Sequence, residues 1–131
     1  MIILDENILE GQRLLLEGWN ISPRQIGLDM GREGLSDEQI IVLLRELRQP
    51  TFFSRDLGFY TPALPDHRYA IVITAVGQYE VAAFVRRFLR HPAFDTKAKR
   101  TGRIVRLSSS GIVFWQTRRQ RETAVEWERR G

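Results

Sequence analysis

The apolar run at residues 69–76 (YAIVITAV) is the feature that most constrains how this chain folds. It is rich in β-branched residues and has no alternation of polar and apolar positions. Such a run is typical of a parallel strand that is covered on both faces. Residues 80–90 follow with apolar side chains at helical spacing, which predicts a crossover helix after the strand, with Arg86, Arg87 and Arg90 on its outward face. This strand and the helix that follows it predict an α/β domain with a parallel sheet.

The same alternation of strands and helices extends along the rest of the chain. Strands are predicted at residues 1–4, 19–22 and 51–54, and helices over residues 8–17 and from Ser36 to Pro50. Residues 23–34 hold three glycines and are predicted to form a loop. The start of the second helix is the clearest local pattern, because Ser36 and Gln39 match a capping box.

The C-terminal third predicts an antiparallel addition to this sheet. Residues 103–107 and 112–115 are predicted strands, joined as a hairpin across residues 108–111 (SSSG). A polar tail at residues 118–131 is expected to fray, except where Val125 and Trp127 dock. The sequence therefore predicts one domain over residues 1–117 and a partly disordered basic tail.

Charge is distributed unevenly between the two parts of the chain. Residues 1–85 carry a net charge of −5 and residues 86–131 a net charge of +9, and 18 of the 20 basic residues are arginines. The basic part indicates an acidic or polyanionic partner, although a solvated basic face explains it equally well. There is no cysteine, which excludes disulfides and thiolate zinc sites. With no long apolar segment and no signal-peptide core, a cytoplasmic protein without membrane contact is expected.

Acidic residues occur where parallel strands and a helix are predicted to meet one edge of the sheet. Asp5 and Glu6 follow the first strand, Asp56 follows the strand at residues 51–54, and Asp37 and Glu38 open a helix. Ligands of open α/β sheets bind at the carboxyl ends of the strands. Carboxylates that converge there repel each other unless cations lie between them. Oxygen ligands without a histidine pair favour Mg²⁺ or Mn²⁺ over zinc.

Each acidic residue also has a purely structural interpretation. Asp5 would cap the first helix, Asp37 and Glu38 would complement a helix dipole, and Asp56 would be an ordinary turn residue. The histidines offer no alternative metal site, because His67 and His91 lack ligand spacing. His91, next to Pro92, is predicted to cap the end of its helix.

Three motifs together resemble the compact PIN-like nuclease family, which includes toxins of bacterial toxin–antitoxin pairs. They are residues 4–7 (LDEN), 35–40 (LSDEQI) and 53–56 (FSRD), in the order and spacing of that family. The resemblance covers residues 1–115. It implies a PIN-like α/β/α sandwich with a mostly parallel sheet, a Mg²⁺ or Mn²⁺ site and cleavage of single-stranded RNA.

The resemblance also implies roles for individual residues. Asp5, Asp37 and Asp56 would bind the metal, with Glu38 a less favoured substitute for Asp37, and Glu6 would be a further ligand or orient water. Asn7 and Ser54 would contact phosphate or metal-bound water. The arginines expected to contact the RNA backbone are Arg55, Arg86, Arg87 and Arg90. The pattern departs from the family at Gly58, where a second aspartate is expected.

Two functions follow from these expectations. The first is a metal-dependent ribonuclease that acts as the toxin of a toxin–antitoxin pair, with a small antitoxin protein as its partner. The alternative is a catalytically impaired PIN-like domain that binds RNA or a partner protein, which the missing acid at Gly58 favours. A homodimer is expected on the resemblance alone.

Overall fold

The computed structural model describes residues 1–128, and residues 129–131 at the end of the predicted tail lie outside the described residues. The described residues form one seven-stranded sheet, in the spatial order β2-β1-β3-β4-β5-β6-β7. The strands β1 to β7 are Ile2–Leu4, Pro23–Gln25, Thr51–Ser54, Ala70–Thr74, Arg103–Ser108, Gly111–Gln116 and Thr123–Val125. The helices α1 to α4 are Glu10–Gly18, Asp37–Glu46, Val81–Arg90 and Lys97–Arg100.

The pairing of the strands confirms the predicted fold class, an α/β domain with a mostly parallel sheet. Strands β1 to β5 pair in parallel, and β6 and β7 add to the sheet in antiparallel orientation. Ser108 pairs with Gly111 at the end of β5 and β6, which confirms the predicted hairpin across residues 108–111. Strand β4, within the long apolar run, is buried along its whole length, as a central parallel strand must be.

Alternate residues of the parallel strands pack into two separate apolar cores. Leu4, Phe53 and Val72 point to one face of the sheet, where α1 and α3 contribute Leu16 and Val85. Because side chains alternate along a strand, the neighbouring residues Ile3, Phe52 and Ile71 point to the other face. That face is covered by α2 through Ile40, Ile41 and Leu44. Helices therefore cover both faces, with the sheet between them.

The second strand does not lie where the sequence predicted it. Residues 19–22 were expected to form a strand, but Trp19 ends α1 and Asn20 adopts a left-handed conformation with φ of 63°. The N–H of Ile21 then donates to the carbonyl of Leu16, which closes the helix end. The strand begins at Pro23 instead, in what was predicted to be a loop. Proline is tolerated there because β2 is an edge strand.

Part of the predicted tail belongs to the sheet. Strand β7 pairs with β6, and Val125 lies opposite Ile112. Trp127 packs edge-on against Phe84, with ring centroids 5.6 Å apart. The expectation of a frayed tail from residue 118 was therefore wrong for this part, while docking of Val125 and Trp127 is confirmed. No helix among residues 1–128 is both long and apolar enough to span a bilayer.

Candidate metal-binding cleft

Asp5 lies directly after β1, at the carboxyl edge of the sheet. Its side chain is only 8% exposed, and it accepts hydrogen bonds from Ser54 Oγ at 2.7 Å and from the Glu6 N–H at 2.8 Å. Burial raises the pKa of Asp5, and these two hydrogen bonds oppose the shift. The residue that precedes α1 as its cap is Leu9, so the interpretation of Asp5 as a helix cap was wrong.

Ser54 joins Asp5 to the third strand and to Asp56. Its hydroxyl donates to Asp5 and accepts from the backbone N–H of Asp56 at 3.0 Å. The side chain is fully buried, and its single proton is used on Asp5. Ser54 therefore positions two carboxylates, and this differs from the contact with phosphate or metal-bound water that the sequence predicted.

Asp56 is both a turn residue and a cleft residue. Its Oδ1 accepts the N–H of Gly58 at 2.8 Å and so caps a short 3₁₀ turn at Leu57–Phe59. No hydrogen bond to Oδ2 is found among residues 1–128. One carboxylate oxygen therefore serves the turn, and the other is available to a ligand.

Asp37 opens α2 without being needed to cap it. Ser36 Oγ accepts the N–H of Gln39, and the Gln39 side chain accepts the N–H of Ser36, so the predicted capping box is confirmed. Burial raises the pKa of Asp37, and the negative charges of Asp56, Glu38 and Asp5 raise it further. Asp37 therefore lies within the electrostatic field of the other two aspartates.

A cleft of about 340 Å³ at the carboxyl edge of the sheet contains most of the predicted site residues. It is lined by Asp5, Glu6, Asn7, Ile8, Leu35, Asp37, Ile40, Ser54, Arg55 and Asp56. Asn7 and Arg55 are exposed there, and Arg55 Nε donates to the Val76 carbonyl at 3.1 Å. Glu38 does not line the cleft, which favours Asp37 as the helix-start acid. Three sequence segments far apart in the chain therefore converge on one cavity.

Glu6 lies between this cleft and a neighbouring pocket of about 380 Å³. Its Oε1 accepts the backbone N–H of Gly34 at 2.9 Å, which ties the loop after β2 to the cleft. In that loop, a side chain at Gly27 would lie 3.4 Å from Glu6 Oε2. Gly27 also has φ of 86°, which favours glycine. Glu6 therefore holds the loop as well as facing the cleft.

Gln25 is a site residue that the sequence analysis missed. Its buried amide Nε2 donates to the carbonyl oxygens of Asp5 at 3.1 Å and Ile8 at 2.8 Å. These bonds fix the backbone of the segment that carries Asp5, Glu6 and Asn7. A single glutamine in a region expected to be a loop offers no pattern that predicts this role.

Three of the predicted RNA-binding arginines lie away from the cleft. Helix α3 leaves the carboxyl edge of the sheet after β4 and runs back toward the opposite edge, because the next parallel strand begins there. Arg86, Arg87 and Arg90 line a separate groove that shares no residue with the acidic cleft. Arg86 was also expected to point outward, but it is half-buried against Trp19. Of the predicted arginines, the cleft contains Arg55.

The side chains of the cleft suit a weakly held cation better than a cation that protein ligands enclose on all sides. In the part of the chain that the structure describes, no group of three or more histidine, cysteine, aspartate or glutamate side chains is arranged to hold a metal ion. Asp5, Asp37 and Asp56 nevertheless line one cavity. Magnesium is commonly bound through one or two carboxylates and several waters. The residues present fit that mode of binding.

The position of Gly58 bears on how many carboxylates the cleft can hold. A Cβ added there would lie 3.0 Å from Asp56 Oδ1, so the side chain would face the Asp56 carboxylate. Gly58 is not among the residues with positive φ, so a side chain would not strain the backbone. A side chain at position 58 would therefore lie beside Asp56, a residue that lines the cleft.

Comparison with known proteins finds no matching protein family, no similar curated protein and no similar solved structure. The resemblance to PIN-like nucleases therefore stays a prediction that depends on the three motifs.

Replacing Ser54 with alanine is expected to destabilise the fold by about 1–3 kcal/mol, because Asp5 and the Asp56 N–H both lose a buried partner. Since the hydroxyl stabilises the ionised form of Asp5, the pKa of Asp5 should also rise in this variant. Chemical denaturation and NMR titration measure the two effects. Ser110→Ala, on the exposed β5–β6 turn, is the matched control. Equal stability of both variants would contradict the positioning role.

Proposed function

We propose that this chain is a metal-dependent endoribonuclease of PIN type that hydrolyses phosphodiester bonds in single-stranded RNA. The observation that carries the proposal is the shared cleft, because Asp5, Asp37 and Asp56 come from separate segments and line one cavity. Their mutual repulsion, added to burial, is a cost that a bound divalent cation would relieve. A carboxylate cluster of this kind suits phosphodiester hydrolysis more than chemistry that needs a thiol or histidine pair.

The side chains of the cleft divide into metal ligands and groups for the substrate. Asp37 and the free oxygen of Asp56 would hold Mg²⁺ or Mn²⁺. Asp5 would join them, since each of its oxygens keeps a further lone pair beside its hydrogen bonds to Ser54 and Glu6. Such an ion lowers the pKa of bound water and neutralises charge on the phosphate. Glu6 would orient the attacking water. The water oxygen would bond to phosphorus as the ester phosphorus–oxygen bond breaks, and a proton from the water would end on the departing ribose oxygen.

Asn7 and Arg55 are the exposed polar groups suited to the RNA phosphate. Arg55 is held at Nε by the Val76 carbonyl, which leaves its terminal nitrogens to donate to phosphate oxygens. Asn7 can donate through its amide from the same rim. These contacts would make RNA affinity fall as salt concentration rises.

The second candidate is a PIN-like domain without catalysis that binds RNA or a partner protein. Two observations favour it: the acid expected at Gly58 is absent, and the described side chains form no closed metal-binding group. The presence of Asp5, Asp37 and Asp56 together in one cleft favours the enzyme. Action as a toxin with a small antitoxin partner, a homodimer and a cytoplasmic location are part of the proposal and depend on the family resemblance.

Gly58→Asp tests the enzyme directly, because it restores the missing carboxylate. We expect wild-type cleavage of single-stranded RNA to need millimolar Mg²⁺ or to respond better to Mn²⁺, as suits a weakly held ion. Gly58→Asp should lower the metal concentration for half-maximal cleavage by about tenfold. The new Cβ lies 3.0 Å from Asp56 Oδ1, so the Asp56 side chain must shift slightly. Circular dichroism therefore accompanies the assay, which is a titration of Mg²⁺ and Mn²⁺ with labelled RNA.

The control is Gly58→Asn, which has nearly the same shape and no added charge. It should leave the metal requirement unchanged or worsen it. If the wild type and folded Gly58→Asp both leave RNA intact at every metal concentration, the nuclease proposal is wrong. RNA or partner binding in those proteins would then support the non-catalytic domain.

A further inference from the structure

A groove of about 520 Å³ lies between the C-terminal end of α1, helix α3 and the segment after β7. We call it the Trp–Arg groove, after the side chains that dominate its walls: Trp19, Arg86, Arg87, Arg90 and Trp127. It shares no lining residue with the acidic cleft. Its chemistry is also opposite, because the cleft is acidic and the groove is basic and aromatic.

Two guanidinium groups in the groove are held in place by stacking on tryptophan. The Arg86 Cζ lies 4.5 Å from the ring centroid of Trp19, and the Arg87 Cζ lies 4.5 Å from that of Trp127. A contact of this kind restrains a guanidinium and leaves its terminal N–H groups to donate. A pair of such N–H groups matches the two oxygens of a carboxylate. The covered tryptophan faces, in contrast, are less available for stacking by nucleic-acid bases.

Residues 126–128 of this chain lie along one wall of the groove. The carbonyl of Glu126 lies 2.7 Å from His91 Nε2, and the Trp127 ring packs against Phe84. Glu128 Oε1 then lies 3.4 Å from Arg87 Nη2. An acidic and aromatic segment is therefore held through its backbone, an aromatic ring and a carboxylate.

Basic charge remains unmatched in the rest of the groove. Within residues 1–128, Arg87 pairs with Glu128, but neither Arg86 nor Arg90 forms an ion pair. Among the described residues, Arg86 Nε is also buried without a hydrogen-bond partner. We propose that the Trp–Arg groove binds an acidic peptide segment of a partner protein, with aromatic or aliphatic side chains between its carboxylates. The segment would lie beside Glu126–Glu128 and place its carboxylates on Arg86 and Arg90.

The proposal is independent of the nuclease proposal, and a binding experiment tests it. The probe is a fluorescein-labelled hexapeptide in which acidic residues flank two aromatic residues (Glu-Phe-Glu-Glu-Phe-Glu). It is titrated with the full chain, and binding is measured by fluorescence anisotropy. Arg90→Glu should weaken binding by at least about tenfold, because it replaces an attractive charge with a repulsive one. Arg48→Glu is the matched control, since Arg48 is exposed outside the groove and the change in net charge is the same. It should alter affinity by less than about threefold if the effect is local.

The uncharged peptide Gln-Phe-Gln-Gln-Phe-Gln should bind at least about tenfold more weakly than the acidic peptide. Equal affinity of the two peptides, or an equal loss in Arg90→Glu and Arg48→Glu, would overturn the proposal. A labelled single-stranded uridine dodecamer that loses affinity in Arg90→Glu, while the acidic peptide does not, would assign the groove to nucleic acid instead. Sedimentation velocity provides the remaining test, because self-association abolished by Arg90→Glu without peptide binding would mean that a second copy occupies the groove.

Discussion

Asp56→Asn is expected to lower metal-dependent cleavage of single-stranded RNA by about two to three orders of magnitude. It removes a preorganised negative charge from the cleft, and the loss of one such electrostatic group typically costs that much activity. The amide oxygen can still accept the Gly58 N–H that Asp56 now accepts at 2.8 Å, so the turn should persist. Asp5→Asn should have a comparable effect on activity, with a further loss of stability because its amide nitrogen cannot accept the hydrogen bond that Asp5 accepts from Ser54 or from the Glu6 N–H.

The measurements for these two variants are labelled-RNA cleavage and isothermal titration with Mn²⁺. Asp95→Asn is a matched control, because it makes the same substitution at an exposed residue that pairs with Lys99 outside the cleft. It should retain both cleavage and Mn²⁺ affinity. Unchanged Mn²⁺ binding in both Asp5→Asn and Asp56→Asn would refute shared ligation and remove the main support for the enzyme.

Asp37→Asn is expected to separate a role in the cleft from a role in the helix. Loss of one acidic charge in the first turn of α2 should cost about 0.3–1 kcal/mol of stability through the helix dipole, and relief of repulsion from the neighbouring carboxylates should offset part of that cost. The capping box of Ser36 and Gln39 remains in place, so the helix should stay folded. Cleavage should nonetheless fall by about a hundredfold or more, because Asp37 faces the cavity shared with Asp5 and Asp56.

Glu38→Gln is the internal control for that variant, since it removes the same charge from the same helical turn outside the cleft. Both variants should show only small shifts in melting temperature, measured by circular dichroism. Cleavage by Glu38→Gln should stay within about threefold of wild type, as expected for an exposed charge at a distance. If Asp37→Asn loses only the little activity that its lower melting temperature explains, Asp37 serves the helix dipole alone.

Elements that depend on neighbouring residues in the chain could be predicted from the sequence. The capping box at Ser36 and Gln39 needs groups only three residues apart, and it predicted the start of α2 at Asp37. The hairpin between β5 and β6 was predicted from a short turn between two apolar runs. Strand β4 was predicted from composition, because only a strand buried on both faces tolerates such an apolar run.

The convergence of the acidic residues was also predictable, for a topological reason. Asp5 and Asp56 follow parallel strands that turn out to be neighbours, since β1 pairs with β3. The carboxyl ends of such strands meet at one edge of the sheet, whatever the details of packing. The sequence could not show how the carboxylates are held, because Ser54 and Gln25 act through contacts with residues far away in the chain.

The errors arose where the end of a helix or a distant contact outweighed the preference that the side chains suggested. Residues 19–22 have strand-forming side chains, but the left-handed conformation of Asn20 and the bond from Ile21 to Leu16 make them the end of a helix. Residues 123–125, in the tail that was expected to fray, became an edge strand because β6 offered them unpaired backbone groups. Helical periodicity assigned Arg86, Arg87 and Arg90 to one exposed face, and only the packing of α3 on α1 and Trp127 decided which groove that face lines. Local chemistry thus determined the elements and the edge where the carboxylates meet, whereas the partners of each side chain depended on contacts that exist only in the folded chain.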